Sequence, residues 1–298
     1  MTQSTSSGIS INAPAKINLS LDVLNRRTDG YHTLCMVMLQ LALCDQVTVY
    51  LSEEAGIRVT TDAAYLPVGE GNSAWQAAMH LSRLCGIDMK HAGVEIHIRK
   101  RIPVAAGLAG GSTDAAAVLK ALNQLWRLGM SSEELQQVGL AIGADVPYCV
   151  MGGTALAEGI GERLTPLKTA RPIWVVLVKP SVSVSTGQVY QKLELDQIRH
   201  QRPDTLALIA ALAEGDIRRI GEVTANVLES VTVSMVPEVA VIKKKLLGFN
   251  AAVSLMSGSG PTVFGLFRDK EKAESAGAKL SLLYRDVFVT YTIDADGL

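Results

Sequence analysis

The stretch Pro103-Val104-Ala105-Ala106-Gly107-Leu108-Ala109-Gly110-Gly111-Ser112-Thr113-Asp114 runs straight into Ala115-Ala116-Ala117-Val118-Leu119-Lys120. Before it, Val94, Ile96 and Ile98 alternate with Glu95, His97 and Arg99, the period of a half-buried strand. After it, Ala, Val and Leu continue to Leu125-Trp126 without Gly or Pro, which predicts a helix. The order is strand, glycine-rich turn, helix. Small residues let a backbone approach a ligand closely, and the first N–H groups of a helix have no partner within it. With the helix dipole they form an anion site, most often for phosphate. Ser112 and Thr113 add hydroxyls able to cap the helix, bind phosphate or hold a metal. The turn lacks the Gly-Lys-Ser/Thr ending of a P-loop and the Gly-x-Gly-x-x-Gly of a dinucleotide fingerprint. A tight connection that uses its glycines only for packing is the competing reading.

The length of 298 residues predicts about two domains with sizeable cores. A hydrophobic share of 48% with 19% charged residues describes an ordinary globular chain rather than a disordered one. The net charge of -1 gives no electrostatic case for nucleic acid or a membrane surface. The one basic run, Lys243-Lys244-Lys245, reads as the solvated face of a helix. Cys35, Cys44, Cys85 and Cys149 form no Cys-x-x-Cys pair, which argues against zinc and for reduced thiols. Residues 1–8 are polar and lack the order of a signal peptide, and the apolar run 34–43 is too short to span a bilayer. These features predict a soluble protein of the cytoplasm.

Residues 9–22 alternate as strands with a break at Ala13-Pro14-Ala15, and Arg26-Arg27-Thr28-Asp29-Gly30 is a charged turn. The runs 47–51 and 57–60 suggest a paired hairpin. Asn72 is placed to cap a helix burying Trp75, Ala78, Met79 and Leu81, and Ser131 with Glu134 forms a capping box. Pro166 and Pro172 bracket a polar connector, so the domains are expected at 1–165 and 166–298. Beyond it come a strand at 174–178 and helices capped by Asp204 and spanning 216 to about 229. A third helix is bounded by Pro237 and Gly248. Strands at 252–256 and 262–267 flank Ser257-Gly258-Ser259-Gly260-Pro261, and a helix at 269–283 and a strand at 287–291 close the chain. That order is the order of a ferredoxin-like half.

Residues 103–115 resemble the phosphate-binding motif of the galactokinase–homoserine kinase–mevalonate kinase–phosphomevalonate kinase (GHMP) superfamily. Ser257-Gly258-Ser259-Gly260-Pro261-Thr262 resembles its third, glycine-rich motif. Ala13-Pro14-Ala15-Lys16-Ile17-Asn18-Leu19, with Arg26-Arg27-Thr28-Asp29-Gly30-Tyr31-His32, looks like the branch that phosphorylates a cytidine-diphosphate methylerythritol. Ala144-Asp145-Val146-Pro147, Gly152-Gly153-Thr154 and Gly159-Ile160-Gly161-Glu162 support it, so the likeness covers nearly the whole chain.

The resemblance implies an α+β, two-domain GHMP kinase fold, N-terminally like ribosomal protein S5 domain 2 and C-terminally ferredoxin-like, with ATP and the acceptor meeting between the domains. It implies Lys16 and Asp145 as catalytic residues, Asp145 taking the proton of the acceptor hydroxyl. Pro103, Val104, Ala105, Ala106, Gly107, Leu108, Ala109, Gly110, Gly111, Ser112 and Thr113 would hold the ATP phosphates, with Mg²⁺ carried by the nucleotide and touched by Ser112 or Thr113. Asn18, Tyr31, His32, Thr186 and Tyr190 would bind the acceptor, the rings reading its cytosine. Ala105, Ala106 and Ala109 stand where family members often carry glycine, and Thr113 where a second Ser is frequent. The implied partner is a small molecule, with no nucleic acid or membrane, and the chain acting as a monomer or weak homodimer. A homoserine- or mevalonate-type kinase and a non-catalytic nucleotide binder are the alternatives.

Overall fold

Two long strands, β1 (Ile9–Arg26) and β2 (His32–Ser52), are joined by the expected charged turn, where the Arg27 guanidinium donates to Asp29 at 2.9 Å. The computed structural model describes residues 8–198 and 202–295; the polar start at 1–7 lies outside them. No strand break occurs at Pro14. The fixed φ of proline suits an extended backbone, and Ala13 and Ala15 are buried on either side of it.

By their contacts the described residues form two compact units that interleave along the chain. The first takes residues 8–15, 44–102 and 109–151; the second takes 16–43, 103–108, 152–198 and 202–295. The division expected at 1–165 and 166–298 is a single cut in the sequence, whereas these units draw on alternating segments of it.

In the first unit, β3 (Gly56–Thr61) does not pair with β2 as a hairpin. β4 (Gly93–Arg99) lies between them, parallel to β3 and antiparallel to β2. Burial explains the order. β3 buries only Val59, as an edge strand does, whereas Val94, Ile96 and Ile98 of β4 supply the apolar stripe that a central strand needs. Helix α1 (Ser73–Leu84) starts where Asn72 Oδ1 accepts the Ala74 N–H at 2.8 Å. It buries Ala74, Ala77, Ala78 and Leu81, while Trp75 and Met79 stay half-buried. α2 (Gly110–Leu125) packs on α1 and buries residues 113–119, Ala121 and Leu122. The Ser131–Glu134 capping box opens α3 (Ser132–Leu140), and the short α4 (Val146–Met151) packs on α2 and α3.

In the second unit, β5 (Thr154–Gly159) pairs with residues 34–39 of β2 and with β6 (Arg163–Pro166). Then follow β7 (Trp174–Lys179), α5 (Thr186–Lys192), α6 (Thr205–Glu214), α7 (Ile217–Val223), α8 (Glu229–Met235) and α9 (Glu238–Gly248). β8 (Val253–Met256), β9 (Val263–Phe267), α10 (Lys270–Ser281) and β10 (Asp286–Ile293) complete it. The spatial order β10-β7-β9-β8, antiparallel throughout, is the ferredoxin-like arrangement expected from the element order.

The single helix expected from 216 to about 229 ends early, as α7 at Val223, and a separate helix, α8, starts at Glu229. Between them the chain runs beside β1: Leu21 N–H donates to Ala225 O at 2.9 Å, and Val227 N–H donates to Leu21 O at 3.0 Å. The basic run lies in α9, where Lys243 pairs with Glu229 and Lys244 is exposed. All four cysteines are free, and no helix among the described residues is long and apolar enough to cross a membrane.

Candidate active site

Residues 103–109 alternate in backbone handedness. Ala105 (φ 51°), Gly107 (φ 73°) and Ala109 (φ 58°) are left-handed, the pattern that turns successive N–H groups to one side as an anion-binding nest. Ala109 is the N-cap of α2, and no side chain caps that end. The expectation that Ser112 or Thr113 caps the helix fails, because both lie inside its first turns, Thr113 only 1% exposed. The glycines also serve packing. A Cβ on Gly110 would sit 3.3 Å from Ile102 Cγ2, and one on Gly111 would sit 3.3 Å from Ser73 Oγ.

Within the second unit, several of the expected residues come together. Lys16 N–H donates to Leu108 O at 3.2 Å, and Lys16 Nζ to Asn18 Oδ1 at 2.6 Å. Ser257 Oγ donates to Gly107 O at 2.9 Å and accepts the Asn18 N–H at 3.3 Å. A side chain on Gly107 would strike the Ser257 carbonyl. The turn 257–261 is held from behind by Asn226, whose amide donates to Met256 O and Gly258 O at 2.8 Å each, and by Thr232, which donates to Ser259 O at 3.1 Å. Thr186 and Ser259 share a hydroxyl hydrogen bond of 2.8 Å. His32 and Tyr190 pair their rings at 5.1 Å, tilted by 31°. Burial, then the nearby Arg26 charge, push the His32 pKa down, so its ring is neutral at pH 7. Tyr31 is 59% exposed beside that pair in sequence.

Asp145 lies in the first unit, half-buried, and its carbonyl accepts the Cys149 N–H at 3.1 Å to open α4. Lys16 belongs to the second.

Sequence reasoning missed a buried triad in the first unit. Lys100 Nζ donates to Asp114 Oδ2 at 2.7 Å and to Asp45 Oδ2. Burial opposes the Lys100 charge, but Asp114 and Asp45 outweigh it and hold that ammonium above the usual lysine pKa. Burial pushes the Asp114 carboxyl up to about 7 against the pull of Lys100, and its Oδ1 has no partner. A signal existed: Lys100 continues the inward parity of Val94, Ile96 and Ile98. Asn226 carried no comparable signal.

Comparison with known proteins identifies the class. The GHMP kinases N terminal domain model matches residues 72–153, and the GHMP kinases C terminal model matches residues 208–286. Together with the loop and the ferredoxin-like half, these place the chain among the GHMP kinases. It is 48% identical over 285 residues to a 4-diphosphocytidyl-2-C-methyl-D-erythritol kinase of Alkaliphilus oremlandii, covering 95% of this chain and 96% of that one. A kinase of the same name from Enterococcus faecalis is 46% identical, with 94% and 98% covered. The crystal structure of a 4-(cytidine 5'-diphospho)-2C-methyl-D-erythritol kinase superposes with a TM-score of 0.82 at 32% identity, covering 95% and 99%. Homoserine kinase from Cytophaga hutchinsonii shares the fold at a TM-score of 0.77 and 23% identity, covering 100% and 98%. The chain belongs to the 4-diphosphocytidyl-2-C-methyl-D-erythritol kinase family.

Proposed function

We propose that this chain transfers the γ-phosphoryl group of ATP to the 2-hydroxyl of 4-diphosphocytidyl-2-C-methyl-D-erythritol, giving the 2-phosphate and ADP in non-mevalonate isoprenoid precursor synthesis. The observation that carries this reading is the 48% identity, over 95% of the chain, to a kinase named for that substrate.

The roles follow from chemistry. N–H groups of residues 103–109 and the uncapped start of α2 hold the phosphates, which suits a loop that contains no lysine. No group of three or more His, Cys, Asp or Glu side chains that could hold a metal occurs among the described residues. The Ser112 hydroxyl, half-buried in the first turn of α2, would touch a Mg²⁺ ion bound mainly by phosphates, the usual manner for that ion, whereas Thr113 is buried. Held there, Mg²⁺ would supply neutralisation of phosphate charge during the transfer. Asp145 accepts the proton of the 2-hydroxyl; a carboxylate is a weak base for an alcohol, so the proton moves late, as the bond to phosphorus forms. Lys16, its amine held on Asn18 Oδ1, orients the hydroxyl and stabilises developing charge. Neutral His32 and Tyr190 take cytosine against their rings, while Tyr31, Asn18 and Thr186 hold the rest of the acceptor. The functional division falls at residues 1–165 and 166–298. The enzyme works in the cytoplasm as a monomer or weak homodimer, with no nucleic acid or membrane partner.

Phosphorus NMR of the product tests the transfer. C2 of the acceptor carries a methyl group and no hydrogen, so the new phosphomonoester is expected as a signal without vicinal proton splitting. A doublet or triplet would place the phosphate on another hydroxyl and overturn the assignment.

A further inference from the structure

The loop of residues 103–109 is entered from β4 and left into α2, and one amine serves both ends. Lys100 directly follows β4, and its side chain is 7% exposed. It donates to Asp45 on β2 and, at 2.7 Å, to Asp114 in the second turn of α2. The other oxygen of Asp45, a residue 0% exposed, accepts the backbone N–H groups of Arg101 at 2.5 Å and Ile102 at 2.8 Å, the last residues before the loop. The Lys100 N–H itself donates to Asp62 Oδ1 at 2.8 Å. A Cβ on Gly110 would lie 3.4 Å from Lys100 Nζ, so the amine rests against the first residue of the helix. A buried ammonium between two carboxylates is no more stabilising than an apolar set of the same volume. Stability alone does not account for it; geometry does.

We propose that Lys100 is a positioning residue for ATP: by joining Asp45 to Asp114 it fixes the spacing between the loop's entry and exit, and so aligns the N–H groups that meet the phosphates. Lys100 touches no phosphate and acts through the two carboxylates. The inference rests on the reading of this loop as the ATP site, and preorganised donors are what such a site requires.

The test is calorimetric binding of Mg-ADP to the full chain, with the KM of ATP and of the acceptor, kcat and the melting temperature read on the same samples. Asp114→Ala cuts the exit tie and leaves a charge-balanced Lys100–Asp45 pair, whereas Asp114→Asn keeps an oxygen for the amine. Asp114→Ala is expected to weaken Mg-ADP binding and raise the KM of ATP by about tenfold, with the acceptor KM unchanged, and Asp114→Asn to restore both to within about threefold of wild type. Should Asp114→Ala not fold, Asp114→Leu, which fills the space without the tie, is read in the same way. Nucleotide binding within about twofold of wild type after either cut, equal losses for ATP and acceptor, or no recovery with asparagine would overturn the role. Failure of the wild-type chain to bind Mg-ADP would instead overturn the reading of the loop.

Discussion

Ala105 and Ala109 hold left-handed backbone at φ 51° and 58°, where a Cβ is strained and glycine is not. Gly107, at φ 73°, has the opposite constraint, since a side chain there meets the Ser257 carbonyl. Ala109→Gly therefore trades roughly 1 kcal/mol of relieved strain against added unfolded-state entropy and should leave stability within about 1 kcal/mol of wild type. Gly107→Ala should lose roughly 1–3 kcal/mol and raise the KM of ATP. Urea unfolding separates the two, and equal effects would contradict the packing described. Asp114 predicts a pH effect with a definite sign. Its folded carboxyl, raised by burial to about 7, keeps a proton that the unfolded chain loses near the ordinary value of 3.8. Its contribution to stability is then fully present below about pH 4 and is lost as pH rises towards 7. Asp114→Asn should abolish that slope, so melting temperatures of variant and wild type diverge from pH 5 to pH 8; parallel curves would refute the shift. Asp145→Asn, which removes the proposed proton acceptor, should lower kcat by about 10²–10⁴-fold and leave nucleotide binding intact. Rapid-quench turnover beside ADP titration measures both.

At the scale of elements, local chemistry made the helix starts legible. Asn72, Ser131 with Glu134, Asp204 and Pro237 all stand where the structure begins a helix. Asn72→Ala should cost about 1 kcal/mol by leaving the Ala74 N–H without its acceptor, a loss that thermal unfolding would register. What was illegible depended on distant partners. β2 and β3 are neighbours in sequence, yet the apolar stripe of β4 takes the place between them. The gap between α7 and α8 exists because Leu21 offers backbone partners to Ala225 and Val227. The site divides in the same way. The nest and Lys16 belong to recognisable motifs, and Lys100 is marked by strand parity. Asn226 is defined only by the carbonyls of Met256 and Gly258 that its amide reaches.

Over the whole molecule, the ferredoxin-like half was readable because its element order leaves few ways to pair the strands, and the observed order β10-β7-β9-β8 is the expected one. The interleaving of the two units was not readable, since β1 and β2 each pass from one to the other within a single strand. Substrate choice also belongs to this scale. The motif at residues 103–115 resembles one of the GHMP class as a whole, whereas the cytosine-binding role proposed for the His32–Tyr190 ring pair distinguishes an acceptor that carries a base. ADP release in a coupled assay, with 4-diphosphocytidyl-2-C-methyl-D-erythritol, homoserine and mevalonate offered separately, tests this most directly. Turnover is predicted with the cytidine-bearing acceptor alone; turnover with homoserine or mevalonate in its place, or with none of the three, would contradict the account.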